Sequence, residues 1–179
     1  PNRVYFKKPG MKLDLGGIAK GFAADEISKI LKKNGVRNFY VAASGSIFAS
    51  GKPPDKDAWY IGIQDPVKKD KNMGLVRLRD KGVSTSGNYE RFVTIKGGRY
   101  SHIIDPRSGY PQKYVVSATI IAPTTIKADA FGSAMCVLGG ERGAKLLNAL
   151  NIGIEALIIE EREGKLRYFR TKGFEKHLA

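Results

Sequence analysis

"YVVSATIIAPTTIKADAFGSAMCVLGG", residues 114–140, changes its rule halfway along. Up to Ala122 it is β-branched and apolar, the strongest strand signal in the chain, and Pro123 closes it. The next segment, 124–139, opens on hydroxyl residues suited to N-capping and ends at Gly139-Gly140, which predicts a helix. A second helix is predicted over "ERGAKLLNALN" (141–151), then a hairpin of "EALIIEE" (155–161) and "KLRYFRT" (165–171) around Gly164. Upstream, "RVYF" (3–6) and "KLDL" (12–15) read as short strands. Residues 17–33 read as a helix: Ile18, Phe22, Ile27, Ile30 and Leu31 fall near a 3.6 period and Gly35 is its stop. "NFYVAASGSIFASG" (38–51) reads as two strands bent at Ser44-Gly45. Residues 59–66, 75–80 and 91–95 add further strands. Strands outnumber helices without alternating with them, so the expected class is α+β, a mixed-sheet sandwich with flanking helices rather than a doubly wound sheet.

The chain has 179 residues, no internal repeat and no low-complexity linker, so residues 1–179 are read as one domain. Apolar residues make up 42% of it, enough for a core and too many for a disordered tail. No stretch approaches the roughly 20 apolar residues of a membrane span. The N-terminus, "PNRVYFKKPG", has no apolar signal region and does not begin with Met. The single cysteine, Cys136, lies among apolar residues and reads as a small core side chain, so no disulfide framework is expected. Net charge is +14, which favours anionic partners: nucleic acid, phosphate-rich cofactors or acidic membranes. The charges are scattered, however. The densest runs (7–12, 67–72 and 160–173) mix in acids or fall on loops, and the aromatics form no stacking platform. A lysine-rich surface is expected, and no nucleic-acid partner.

Three clusters carry chemistry. Gly16-Gly17 stands at a strand-to-helix junction, where the helix start presents free N–H groups and a positive dipole end. Lys20 follows one turn in, and Asp14 precedes the glycines. Two readings stand: a phosphate-binding turn with Asp14 on a ligand hydroxyl, or a capped turn with Lys20 in solvent. The second cluster is "STSGNYERF" (84–92) with "GGRYSHIIDPRSGYP" (97–111). His102 suits acid–base work or a phosphate contact. Equally, Asp105 and Arg107 suit an ordinary surface turn. In the third, Asp129 and Ser133 are i, i+4 on one helix face; the pair is hard-oxygen chemistry suited to Mg²⁺, although a DxxxS taken alone reads first as a first-turn acid beside a small contact residue.

Taken together these segments resemble the ApbE family, the FAD:protein FMN transferases. "DLGGIAKGFAAD" (14–25), "STSGNYERF" (84–92), "RYSHIIDPRSGYP" (99–111) and "ATIIAPTTIKADAFGSAMCVLG" (118–139) are similar to that family's blocks, in its order, and span most of the chain. The resemblance implies Mg²⁺-dependent transfer of FMN from FAD to a Thr or Ser of a target flavoprotein, with release of AMP. The acceptor would carry a D-x-x-[ST]-G-A-[ST]-like motif. Alternatives are an FAD pyrophosphatase giving FMN and AMP, or an FAD-binding protein without turnover.

By position, the resemblance implies metal ligands at Asp129, Ser133 and the Gly17 carbonyl. It implies FAD contacts at Asp14, Lys20, Ser86, Gly87 and Ile103, and acceptor activation by His102. Ser133 stands where Thr is more usual, and Gly132 where some members have another acid. Ser44 and Ser46 replace a glycine and an acid of an Asn-Ala-Gly-Gly-Asp-like stretch. The family's N-terminal portion, on the adenine side of the FAD pocket, is expected to be lacking from these residues. Location by resemblance is the cell envelope, on the periplasmic side of the inner membrane, with any lipid anchor outside this chain; the alternative is cytoplasmic.

Overall fold

A strand can be apolar on both faces only where each face is covered, and this chain supplies two different covers. The computed structural model describes residues 2–68, 70–87, 92–95 and 98–179. An irregular segment leads into α1 (Ala19–Lys33) and the hairpin β1 (Phe39–Ala43) and β2 (Ser46–Ser50). A second hairpin, β3 (Trp59–Gln64) and β4 (Asn72–Leu78), precedes β5 (Lys81–Gly87). Short ladders follow: β6 (Phe92–Ile95) with β7 (Gly98–Ser101), and β8 (Ile104–Asp105) with β9 (Tyr110–Pro111). Then come β10 (Val115–Ala122), α2 (Thr125–Leu138), α3 (Gly140–Leu150), β11 (Glu155–Arg162), β12 (Lys165–Arg170) and a 3-10 turn (Phe174–His177).

The main sheet has the order β1-β2-β5-β10-β11-β12, and every neighbouring pair is antiparallel. All of β10 is buried. Its Ala118, Ile120 and Ala122 join Met135 of α2, Leu147 of α3 and Ile158 of β11 in one core. Val116 and Ile121 join Val76, Leu78 and Phe174 in a second core under the β3–β4 hairpin. A register shift between Val115 and Ser117 reverses the alternation, so that Val115 shares the side of Ala118 and Ile120, and Val116 the side of Ile121. Each such fully buried side chain contributes on the order of 1.5–3 kcal/mol. The result is the expected α+β class, with helices on one face of the sheet and a hairpin on the other.

Three features differ from the sequence reading. Residues 3–6 and 12–15 form no strand, and Val4, Tyr5, Leu13 and Leu15 are exposed. A strand exists only with a neighbour, and the sheet edges β1 and β12 take none of them. Conversely β5, "KGVSTSG", was not predicted, because Gly and Ser are poor strand formers. It is central, between β2 and β10, and small because α2 lies directly on it. A Cβ on Gly82 would stand 2.6 Å from the Thr125 backbone N and Cα. The C-terminus, where the sequence pattern predicts no element after residue 171, is held in place. Phe174 is fully buried, Leu178 bridges to Val76, and the Ala179 N–H donates to the Leu75 carbonyl at 3.1 Å. Residues 88–91, part of the second block and of the strand predicted at 91–95, lie outside the described residues. Among the described residues, no helix is long and apolar enough to cross a membrane.

The seat of α2 on β5 is testable. Gly82→Ala forces backbone apart from backbone, and a loss of about 1–3 kcal/mol in urea unfolding is expected. Parent-like stability would show that the helix does not sit this close.

Candidate active site

The first turn of a helix has N–H groups without intrahelical partners, and α1 spends one of them on another helix. The Gly21 N–H donates to Asp129 Oδ2 of α2 at 2.9 Å. Lys20 Nζ lies 3.1 Å from Asp129 Oδ1 and 3.4 Å from Oδ2, and its third contact is the Gly16 carbonyl at 3.5 Å. Ser84 Oγ of β5 donates to Oδ1 at a long 3.4 Å. The Asp129 side chain is only 3% exposed, whereas that of Lys20 is 41% exposed. A buried carboxylate is thus held by an ammonium, an amide and a hydroxyl at the positive end of α1.

The glycine turn sits beside this carboxylate. Asp14 Oδ1 accepts the Gly16 N–H at 2.7 Å, so the exposed Asp14 shapes the turn. A Cβ on Gly16 would come within 2.8 Å of that oxygen, which explains the glycine. The Cβ position of Gly17 is 3.7 Å from Ser133 Oγ, one helical turn beyond Asp129. Of the two local readings, Asp14 follows the turn-forming one, while Lys20 is drawn into an interhelical ion pair rather than left in solvent. Gly17, Lys20, Asp129 and Ser133 come together.

Ser86 and Gly87 end β5 against α2. A Cβ on Gly132 would meet Ser86 Oγ at 2.5 Å, and the Cys136 thiol donates to the Ser86 carbonyl at 3.7 Å. The Ser86 hydroxyl therefore faces the helix. There is no room for an acidic side chain at 132 unless Ser86 moves. Two residues earlier, and on the same strand face, Ser84 is the one that reaches Asp129. Ser84 Oγ in turn lies 3.0 Å from Ser46 Oγ, and both serines are buried. The position where the resemblance leads one to expect an acid thus stands two hydrogen bonds from Asp129. Sequence reasoning missed Ser84 and Gly21; the alternation of Ser84 and Ser86 was the one available signal.

His102 is exposed, between β7 and β8, and Ile103 beside it is buried in the α2-side core. The Ile103 N–H donates to Ser101 Oγ at 3.1 Å, and the Gln112 N–H to the Ile103 carbonyl at 2.9 Å. Arg107 pairs with Asp105 at 2.6 Å and holds its carboxyl down at about 2. The same guanidinium donates to the Val137 carbonyl at 3.3 Å, so the loop carrying His102 is pinned to the last turn of α2. A cavity of about 1120 Å³ opens here, with Tyr100, Ser101, Arg107, Tyr114 and Arg162 in its walls. It lies toward the C-terminal end of α2, away from Asp129.

Among the described residues, no three of His, Cys, Asp and Glu gather as a metal cluster. The donors near Asp129 are a carboxylate, a hydroxyl and a carbonyl. All are oxygens, a set that suits a hard cation such as Mg²⁺ and not zinc.

Comparison with known proteins gives a consistent result. The model of the ApbE family matches residues 2–158. The FAD:protein FMN transferase of Treponema pallidum is 41% identical over 169 residues, 89% of this chain and 46% of that protein. The Buchnera aphidicola protein of the same name is 33% identical over 99% of this chain and 52% of its own length. The crystal structure of the ApbE protein from Thermotoga maritima superposes with a TM-score of 0.84 at 38% identity, covering 96% of this chain and 55% of that one. The flavin transferase ApbE from Vibrio cholerae gives 0.82 at 31% identity, covering 95% and 54%. The chain spans about half the length of the curated relatives it matches.

Cys136 gives a check on this side of α2. Burial pushes its thiol up to about 12. At pH 8 the folded protein should resist iodoacetamide, and alkylation should appear only on unfolding, read by mass spectrometry. Stability should fall as pH rises above about 9, because the unfolded thiol loses its proton first. Rapid labelling of the native protein would contradict this burial.

Proposed function

We propose that this chain, which belongs to the ApbE family, transfers the FMN half of FAD to a Thr or Ser hydroxyl of an acceptor flavoprotein and releases AMP. One observation carries the reading: Lys20 joins the glycine turn to the buried Asp129, and Gly17 of that turn faces Ser133, one helical turn beyond Asp129. That is the equipment for a bridging pyrophosphate, whose transfer chemistry depends on positioning and charge. Asp129, Ser133 and the Gly17 carbonyl would hold Mg²⁺, which when bound supplies positive charge to the phosphate oxygens. Lys20 adds a second, fixed positive charge.

In the reaction, the acceptor oxygen bonds to the FMN phosphorus, and the P–O bond to the AMP half breaks. The AMP leaves with the bridging oxygen. The hydroxyl proton passes to the His102 imidazole. Two features support this role for His102. It is exposed, as a base serving another protein's hydroxyl must be, and its loop is braced by Ile103 and Arg107. The cavity beside that loop offers room for an incoming segment.

The test incubates the protein with FAD, Mg²⁺ and an acceptor polypeptide carrying a D-x-x-[ST]-G-A-[ST]-like motif, followed by in-gel flavin fluorescence. A fluorescent acceptor band is expected, lost on chelation. Asp129→Asn should lower the rate by about 100-fold or more. His102→Ala should lower it by about 10²–10⁴-fold, in the range of a lost general base. FMN and AMP formed without any adduct would point to a pyrophosphatase, and bound but intact FAD to a binding protein; either result sinks the transferase reading.

A further inference from the structure

Thr124 occupies the N-cap position of α2 with an extended backbone (φ −134°, ψ 152°), yet its side chain caps nothing. Among the described residues its buried Oγ1 has no hydrogen-bond partner. The capping falls to a residue on another helix. Asp25 of α1 accepts the Thr125 N–H at 2.8 Å through Oδ1 and the Ile126 N–H at 2.9 Å through Oδ2. The sequence reading had expected the local hydroxyls to do this.

A local cap would satisfy the same amides equally well. What it would lack is a link between the helices. The link has a partner one turn away: on α1, Gly21 and Asp25 are i, i+4; on α2, Thr125 and Asp129 are i, i+4. The Asp25 side chain takes the Thr125 backbone, and the Asp129 side chain takes the Gly21 backbone. The two contacts are reciprocal rungs between antiparallel segments. Gly21 closes the gap between them: a Cβ there would stand 2.5 Å from the Thr125 carbonyl oxygen and 2.7 Å from the Ile126 Cα.

We propose that Asp25 is a positioning residue: its two-pronged grip on the start of α2 sets where Asp129 stands relative to the Gly16-Gly17 turn and Lys20. In its bearing on catalysis this rests on the reading of Asp129 as a metal and pyrophosphate site; the geometric role stands apart from it. Without the grip, α2 is free to slide or rotate on α1, and the Gly21–Asp129 rung loosens with it.

The test separates capping from positioning. Asp25→Ala removes both. Adding Thr124→Asp restores a local cap but no interhelical link. Urea unfolding, hydrogen exchange at the Gly21 amide, and calorimetric titration of Mg²⁺ in the presence of FAD are measured on the parent and both variants. The double variant is expected to recover the urea midpoint lost by Asp25→Ala. Its Gly21 amide should still exchange about tenfold faster than in the parent, and its Mg²⁺ affinity should stay about tenfold or more lower, the usual cost of losing an outer positioning partner. Parent-like exchange at Gly21 in the double variant would overturn the proposal. Were the parent itself to bind no Mg²⁺ with FAD, the proposed function would fall while the exchange data still decided the role of Asp25. Should the double variant not fold, Asp25→Ala alone is read instead: Gly21 exchange about tenfold faster than in the parent supports the role, and parent-like exchange overturns it.

Discussion

The Asp129 carboxylate is out of water, and an unpaired charge there costs several kcal/mol. Its donors come from two elements, Lys20 and Gly21 on α1 and Ser84 on β5, and Ser46 on β2 stands behind Ser84. No one of these segments can be moved without leaving the charge short of a partner. The small residues around it follow from the same demand. Gly21 and Gly82 let α1 and β5 close on the start of α2 from two sides, and both of their Cβ positions would strike the Thr125 backbone. Thr125 is thus wedged between a helix and a sheet, one turn ahead of the acid that the arrangement holds.

This makes α2 the ruler of the site. Its first turn is gripped by Asp25 and its last by Arg107, whose guanidinium reaches the Val137 carbonyl while paired to Asp105. Asp129 hangs from the first half of that ruler and Ser133 from just past its middle. The loop of His102 is fastened to the second half, through Arg107 and through Ile103 in the shared core. The two chemical ends of the proposed reaction are therefore both referred to one rigid helix, which keeps their spacing.

Much of this was legible in the sequence because it depends on local periodicity. β10, α2, α3 and the β11–β12 hairpin announce themselves by β-branching, helical spacing and terminal glycines, and Asp129 and Ser133 share a face by spacing alone. What could not be read depends on neighbours. β5 is a strand because β2 and β10 flank it, against the propensity of Gly82 and Ser84. Residues 3–6 and 12–15 have strand-like patterns and no neighbour, and they form none. Asp25 reads as one more acid on a helix, since nothing local says that its oxygens face amides 100 and 101 positions away. Asp14 and Lys20 show both outcomes in one motif: the first closes a local turn, the second is claimed by a residue 109 positions on.

The charge count at the site bears on how it would hold a cation. Two positions where the resemblance leads one to expect further acids carry Ser46 and Gly132 instead. Both are tightly enclosed: Ser46 against Ser84 in the core, and Gly132 against Ser86, whose Oγ stands where a Cβ would go. The oxygens proposed to hold the cation then offer one negative charge, already shared with the Lys20 ammonium. One carboxylate partly neutralised by a lysine is a weak trap for a free divalent ion, yet it is enough when substrate phosphates complete the coordination, as they commonly do for Mg²⁺. On the proposed reading, metal and dinucleotide would therefore bind as a unit. The chain's net charge of +14 fits this dependence, since its field repels a bare divalent cation and attracts the dianionic pyrophosphate, whose charge then offsets that of the cation at the site.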